Sequence, residues 1–125
     1  AAVNAVVLPF LERMGDAWGA SDLALSRGGA SSIAEITVNR VPAIIAPFPW
    51  HKDRHQAANA ETLASEGGVV VVEDRVEPGK NLDSIGKVLA RLLSDGQARI
   101  RMAETLARRP AGNAAEVIAR RLLAD

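Results

Sequence analysis

Short runs of β-branched and aliphatic residues alternate along the chain with longer stretches whose apolar positions recur at helical spacing. That alternation predicts βαβ units around a parallel sheet. Four runs read as strands: Val3 to Leu8, Asp22 to Ser26, Ala43 to Pro47, and Val69 to Glu73. The last contains four consecutive valines, which suits a strand buried on both faces. Between the runs, Glu12 to Ala20, Ser31 to Asn39 and Asp53 to Ser65 have helix-forming composition, punctuated by Pro42 and Gly67-Gly68 where the chain leaves a helix. Beyond Glu73 the segment Asp74 to Asn81 is turn-like. Leu82 to Leu93 then lines up Ile85, Val88, Leu89, Leu92 and Leu93 on one helical face, which should pack on the sheet. Gln97 to Arg108 and Ala114 to Leu123 read as two further helices with solvated arginine faces, separated by Pro110 and Gly112. No internal repeat, low-complexity tract or second-domain linker interrupts the pattern, so residues 1–125 read as one α/β domain.

Composition narrows the class. At 125 residues and 48% hydrophobic, the chain can bury roughly two-thirds of its unfolded surface in one core. The absence of cysteine removes disulfides and thiolate metal sites and suits a reducing cytoplasm. Fifteen basic residues balance fifteen acidic ones, so no overall field draws the protein to nucleic acid or anionic lipid. Aromatic residues are only 3%, too few for a base-stacking platform, and nucleic acid is not an expected partner. No apolar run approaches the roughly 20 residues of a membrane span, and Ala1-Ala2-Val3-Asn4 lacks the grammar of a signal peptide. A soluble protein is expected.

Three stretches carry candidate chemistry. In Ser26-Arg27-Gly28-Gly29-Ala30-Ser31-Ser32-Ile33-Ala34-Glu35 a glycine pair lies between a strand end and a helix start, where parallel α/β sheets bind ligands. Glycines let backbone N–H groups approach an anion, and the helix N-terminus favours phosphate. A plain βα turn accounts for the same residues, since Ser32-x-x-Glu35 matches a capping box. The second stretch, Pro47-Phe48-Pro49-Trp50-His51-Lys52-Asp53-Arg54-His55-Gln56, is a polar loop at a strand end. His55 and Gln56 suit sugar hydroxyls there, and Lys52 or Arg54 suits phosphate. Alternatively Asp53 caps the next helix and the other polar groups face water. His51 and His55 stand four apart, but no third ligand completes a metal site. In the third stretch, Leu8 to Met14, Phe10 and Leu11 either lie over a flat base ring or serve as ordinary core or a hydrophobic staple.

In this order and spacing the three stretches resemble the C-terminal domain of the MurG family, the N-acetylglucosaminyltransferases that make lipid II for peptidoglycan. The family pattern is an aromatic-aliphatic pair after a strand, Arg-Ser-Gly-Ala with a Glu six residues beyond that Gly, then Pro-Phe and His-Lys-Asp-Arg-Gln-Gln. Its counterparts here are Phe10-Leu11, Arg27-Gly28-Gly29-Ala30 with Glu35, and Pro47-Phe48 with His51-Lys52-Asp53-Arg54-His55-Gln56. The likeness is strongest from Leu8 to Gly68 and general after Arg75. Two positions depart from it: His55 replaces the first Gln of the family's pair, and Gly28-Gly29 replaces its Ser-Gly.

The resemblance implies a Rossmann-like parallel sheet flanked by helices, the C-terminal half of a GT-B glycosyltransferase lacking its first strands. It implies that Phe10 and Leu11 border the uracil of UDP-N-acetylglucosamine, Glu35 binds ribose hydroxyls, and Ser31 and Ser32 meet the diphosphate. It also implies that His55 with Gln56 reads the sugar, and that Arg27, Gly28, Gly29, Ala30 and His51 complete the donor site. The general base is implied to lie in an N-terminal acceptor-binding domain, so this chain is expected to hold no catalytic residue and to act as a fragment or one partner of a split enzyme. Two further family strands would fall between Val3–Leu8 and Asp22–Ser26, and without them a marginal or rearranged fold is expected. The expected function is the donor-binding half of an inverting transferase acting on a lipid-linked muramoyl acceptor, cytoplasmic and peripheral on the inner face of the cell membrane. A helix end and basic groups would stabilise the departing diphosphate, so neither metal nor other cofactor is expected. Alternatives are a transferase of the same fold using another UDP-sugar, and a non-catalytic donor-binding subunit.

Overall fold

Ala43–Ile45, the second strand (β2), organises the chain: all three of its side chains are 0% exposed. In the computed structural model, described over residues 3–50, 55–110 and 112–124, β2 lies between β1 (Ala24–Ser26) and β3 (Val69–Val71) in a parallel sheet of order β1-β2-β3. The register aligns Ser26, Ile45 and Val71, so the three strands end level with one another. Because side chains alternate across a strand, Ala43 and Ile45 enter one apolar layer and Ile44 the other.

The first layer joins Ala43 and Ile45 to Trp18 of α1 (Met14–Gly19), Ile36 of α2 (Ala30–Asn39), Ala60 and Leu63 of α3 (His55–Glu66), and Leu106 of α6 (Gly96–Ala107). The second joins Ile44 to Leu92 of α5 (Lys87–Ser94), Met102 of α6, and the flanking Val70, Val72, Val88 and Leu89. Before α5, a short α4 (Pro78–Asn81) runs through a π-helical turn, Leu82–Gly86, without leaving helical backbone. After α6 comes α7 (Ala114–Ala124).

The α/β class and the parallel sheet are as expected, with each observed strand shorter than its run. Val3 to Leu8 is not a strand: Val3, Val6 and Val7 are 86%, 84% and 93% exposed. Strand propensity supplies a pattern, but without a neighbouring strand to take its hydrogen bonds and a layer to cover its valines the segment gains nothing by extending into a sheet. The valine run is not buried on both faces, because β3 is an edge strand and Val71 is 39% exposed. In the helix after β3, Ile85, Val88, Leu89 and Leu92 turn inward, but Leu93 is 62% exposed. The turn-like segment Asp74 to Asn81 includes the helical turn α4.

Helix ends follow backbone rules. Gly67 (φ +88°) closes α3 in a Schellman turn, with Gly68 N–H donating to Leu63 O (2.9 Å) and Gly67 N–H to Ala64 O (3.1 Å). At the other end of the sheet, Gly28 has φ +81°, and a Cβ there would stand 2.6 Å from Ile45 Cγ2 and 3.1 Å from Gln56 O. The βα turn is thus pressed between β2 and the start of α3. Gly28→Ala is expected to destabilise the protein by about 2 kcal/mol or more, through both left-handed strain and the clash. Gly29→Ala, at φ −59° and with nothing within 4 Å of the new methyl, should cost less than about 1 kcal/mol. Urea denaturation of the two variants measures this, and equal losses would mean that the close approach at Gly28 does not constrain the turn.

Candidate functional site at the strand ends

The level strand ends gather the polar residues that the core excludes. Arg27, immediately after β1, crosses the end of β2: its Nη1 donates to Ala46 O (3.2 Å) and to Asp74 Oδ2 (2.5 Å), beyond β3. The guanidinium lies over the Phe48 ring, 5.4 Å from its centroid, and Trp50 meets the same ring edge-on at 5.4 Å. Asp74 is buried and has its other oxygen occupied as well, Oδ1 accepting from Asn81 Nδ2 (2.7 Å) and Val76 N–H (2.8 Å). The Asn81 hydrogen bond first, then that of Arg27, hold the Asp74 carboxyl at about 2, below its ordinary 3.8; burial opposes them.

Beside this cluster, α2 starts at Ala30 with Gly29 as its N-cap and no side chain capping it. Its first N–H groups therefore lack intrahelical partners and face the strand ends with the positive end of the helix dipole. Ser31 is exposed and Ser32 half-buried in that turn. The capping box expected from Ser32 and Glu35 is not formed, because the helix begins before Ser32 could act as its cap. Glu35 instead accepts a hydrogen bond at Oε2 from the buried Trp18 Nε1–H, which fixes the carboxylate half-buried one turn into α2. At the start of α3, Gln56 Oε1 accepts from Phe48 N–H (2.6 Å), and Asn59 Nδ2 donates to Gly28 O (3.2 Å). An open cavity of about 490 Å³ adjoins these groups, lined by Pro47, Phe48, Gln56, Val72, Glu73 and Asp74 among others. A larger depression, about 690 Å³, lies between α2, α3 and the end of α6, and holds neither the glycine turn nor the charged cluster.

The fold thus brings Arg27, Gly28, Gly29, Ala30, Ser31, Ser32 and Gln56 to one edge, with Glu35 a turn further along α2 and His55 exposed at the start of α3. Phe10 and Leu11 precede α1, 77% and 38% exposed. Neither belongs to the core. His51, and with it Lys52, Asp53 and Arg54, lies outside the described residues. Sequence reasoning missed Asp74, Asn81 and Trp18. The available signal for the first was its place just past a strand end, followed by turn residues; Trp18 carried none, since its partner is distant in sequence.

A glycine turn opening a helix at the C-terminal edge of a parallel sheet, with an arginine and polar loops beside it, is the arrangement that binds phosphorylated ligands in α/β folds. The family model described as "Glycosyltransferase family 28 C-terminal domain" matches residues 2–122. The chain belongs to this family. Among relatives of the glycosyltransferase family 28 domain, one in Acidithiobacillus ferrooxidans is 40% identical over 119 residues, covering 95% of this chain and 32% of that protein. It bears the name UDP-N-acetylglucosamine–N-acetylmuramyl-(pentapeptide) pyrophosphoryl-undecaprenol N-acetylglucosamine transferase. A protein of the same name in Wolbachia sp. subsp. Brugia malayi is 48% identical over 88 residues, covering 70% of this chain and 25% of that one. The crystal structure of Acinetobacter baumannii MurG superposes with a TM-score of 0.81 at 28% identity, over 96% of this chain and 33% of that one. The chain thus spans about a third of the length of these relatives. Among the described residues, no helix of this family 28 domain is long and apolar enough to cross a membrane.

The depressed Asp74 pKa fixes a pH dependence. Folding contributes stability through this carboxylate fully above its unfolded value of 3.8, and that contribution is lost as pH falls toward about 2. Thermal unfolding followed from pH 5 to pH 2 should therefore show a loss of stability for the wild-type chain that is smaller in Asp74→Asn. Parallel curves for the two proteins would exclude Asp74 as the group responsible.

Proposed function

We propose that this chain is the donor-binding part of an inverting glycosyltransferase that moves N-acetylglucosamine from UDP-N-acetylglucosamine to a lipid-linked muramoyl acceptor, the step from lipid I to lipid II in peptidoglycan synthesis. The observation that carries the proposal is the uncapped α2 N-terminus behind the Gly28-Gly29 turn, set at the sheet edge of a family 28 domain whose relatives bear that transferase name. The diphosphate sits against the first turn of α2, where Gly29, Ala30, Ser31 and Ser32 offer backbone N–H groups. Glu35 takes the ribose hydroxyls with the carboxylate that Trp18 orients. Gln56 and His55 meet the sugar, and Phe10 and Leu11 close over the base. The acceptor and its general base belong to an acceptor-binding domain, through which the enzyme works at the inner face of the membrane. His55, where the family pattern has Gln, favours as a second reading a transferase for a different UDP-sugar.

Calorimetry of the chain with UDP, UDP-N-acetylglucosamine and UDP-glucose in excess chelator tests the donor site. UDP is expected to bind without metal, and Glu35→Gln to weaken it by about 1–3 kcal/mol, the cost of a charge-assisted hydrogen bond. Unchanged affinity in Glu35→Gln would refute the ribose assignment, and a strict Mg²⁺ requirement the metal-free one. Stronger binding of UDP-glucose would favour the second reading.

Transfer needs the acceptor hydroxyl held in line with the anomeric carbon, and such positioning supplies about 7–11 kcal/mol in well-oriented systems. The chain alone should therefore show no turnover with UDP-N-acetylglucosamine and a lipid I analogue, and activity should return when a separately expressed acceptor-binding domain is added. Turnover by the chain alone, lost in His51→Ala or His55→Ala, would place the catalytic base here instead.

A further inference from the structure

We propose that Asp74 is a positioning residue for the donor diphosphate, which with Asn81 locks Arg27 across the strand ends so that the remaining guanidinium N–H groups point at the anion. The proposal rests on the nucleotide-diphosphate reading above and adds to it two residues outside the motifs that identify the family. Arginine carries five donors in a rigid fork. Here Nη1 alone takes both protein acceptors, Ala46 O and Asp74 Oδ2, while the side chain stays 50% exposed with its Cζ 5.4 Å from the Phe48 ring centroid. Two contacts on Nη1 hold that end of the fork and leave Nε and Nη2 for a ligand. Arg27 immediately precedes the Gly28-Gly29 turn that opens α2, so its backbone adjoins the first N–H groups of that helix.

The carboxylate is built for direction. Asp74 is 9% exposed, and its Oδ1 is held by Val76 N–H and Asn81 Nδ2. Asn81 in turn accepts from Arg75 N–H at 2.7 Å, closing the loop between β3 and α4 on itself. Val76 sits within that loop at φ +68°, a left-handed conformation that a β-branched residue rarely adopts and that persists only where its surroundings over-determine it. With Oδ1 already satisfied twice, the charge of Asp74 has hydrogen-bond partners without Arg27. The Arg27 contact at Oδ2 therefore sets where the arginine points, more than it neutralises a stranded acid.

Charge and position make opposite predictions for Asp74→Asn. Removing an anion beside a diphosphate tightens binding if only the local potential matters, whereas releasing Arg27 from its hold weakens it. The test measures the affinities of this chain for UDP by calorimetry and for uridine by NMR titration, in the wild type, Asp74→Asn, Arg27→Gln and the double variant. Asp74→Asn is expected to weaken UDP by about five- to tenfold and leave uridine within about twofold. In the Arg27→Gln background it should add no further loss, because a residue that acts through another is silent once that other is gone. Tighter or unchanged UDP binding in Asp74→Asn, or losses that add independently, would overturn the proposal while leaving the donor reading intact. Failure of the wild-type chain to bind UDP at all would overturn both. Should Asp74→Asn lower the melting temperature too far to titrate, Asn81→Ala removes one of the two bonds fixing Oδ1, and the same selective loss for UDP is expected.

Discussion

Complete burial of β2 sets the terms for everything else. A three-residue strand with no exposed side chain needs an apolar layer on each face, and the chain provides them from helices α1, α2, α3 and α6 on one side and α5 and α6 on the other. Those layers admit almost nothing polar; Asp74, at the sheet's end, is the buried charged side chain among the described residues. Polar groups can collect only where the strands stop. Because the register stops all three together, that place is a single edge and not three scattered loop tips. The site is thus a by-product of the sheet's geometry before it is anything else.

That edge is held by contacts that join residues far apart in sequence. Arg27 spans from β1 to the loop after β3, Gln56 ties the first turn of α3 to the strand-end loop after β2, and Asn59 holds the glycine turn. Close packing at Gly28 leaves no room for a side chain between the βα turn, Ile45 of β2 and the Gln56 carbonyl of α3. The segments that contact a ligand in the proposed site are therefore braced by each other as well as by the core.

How much of this was legible in the sequence differs by kind of interaction. The parallel α/β class followed from β-branched runs alternating with helical stretches, because burial imposes that pattern locally. Strand extent did not follow: Val3 to Leu8 has the composition of a strand, but a strand exists only where another takes its hydrogen bonds. The glycine turn could be seen in advance because a left-handed backbone at a strand-to-helix junction restricts residue type at that spot. Asp74 could not, since its meaning lies in a partner 47 residues earlier, and its own neighbourhood reads as an ordinary turn. Likewise Ser32 and Glu35 had the spacing of a capping box, yet α2 starts at Ala30 and Glu35 bonds to Trp18 in another helix.

The indole of Trp18 is at once a packing element of the core and the donor that steers Glu35. It is also one of only two tryptophans in the chain, and the other, Trp50, is 68% exposed in the strand-end loop. The two chromophores therefore differ in environment, one shielded and hydrogen-bonded to a carboxylate, the other open to water against the Phe48 ring. Any event that reorients Glu35 alters the shielded indole directly, and any event at the loop alters the exposed one. The molecule carries its own pair of optical reporters, one in the core and one in the strand-end loop.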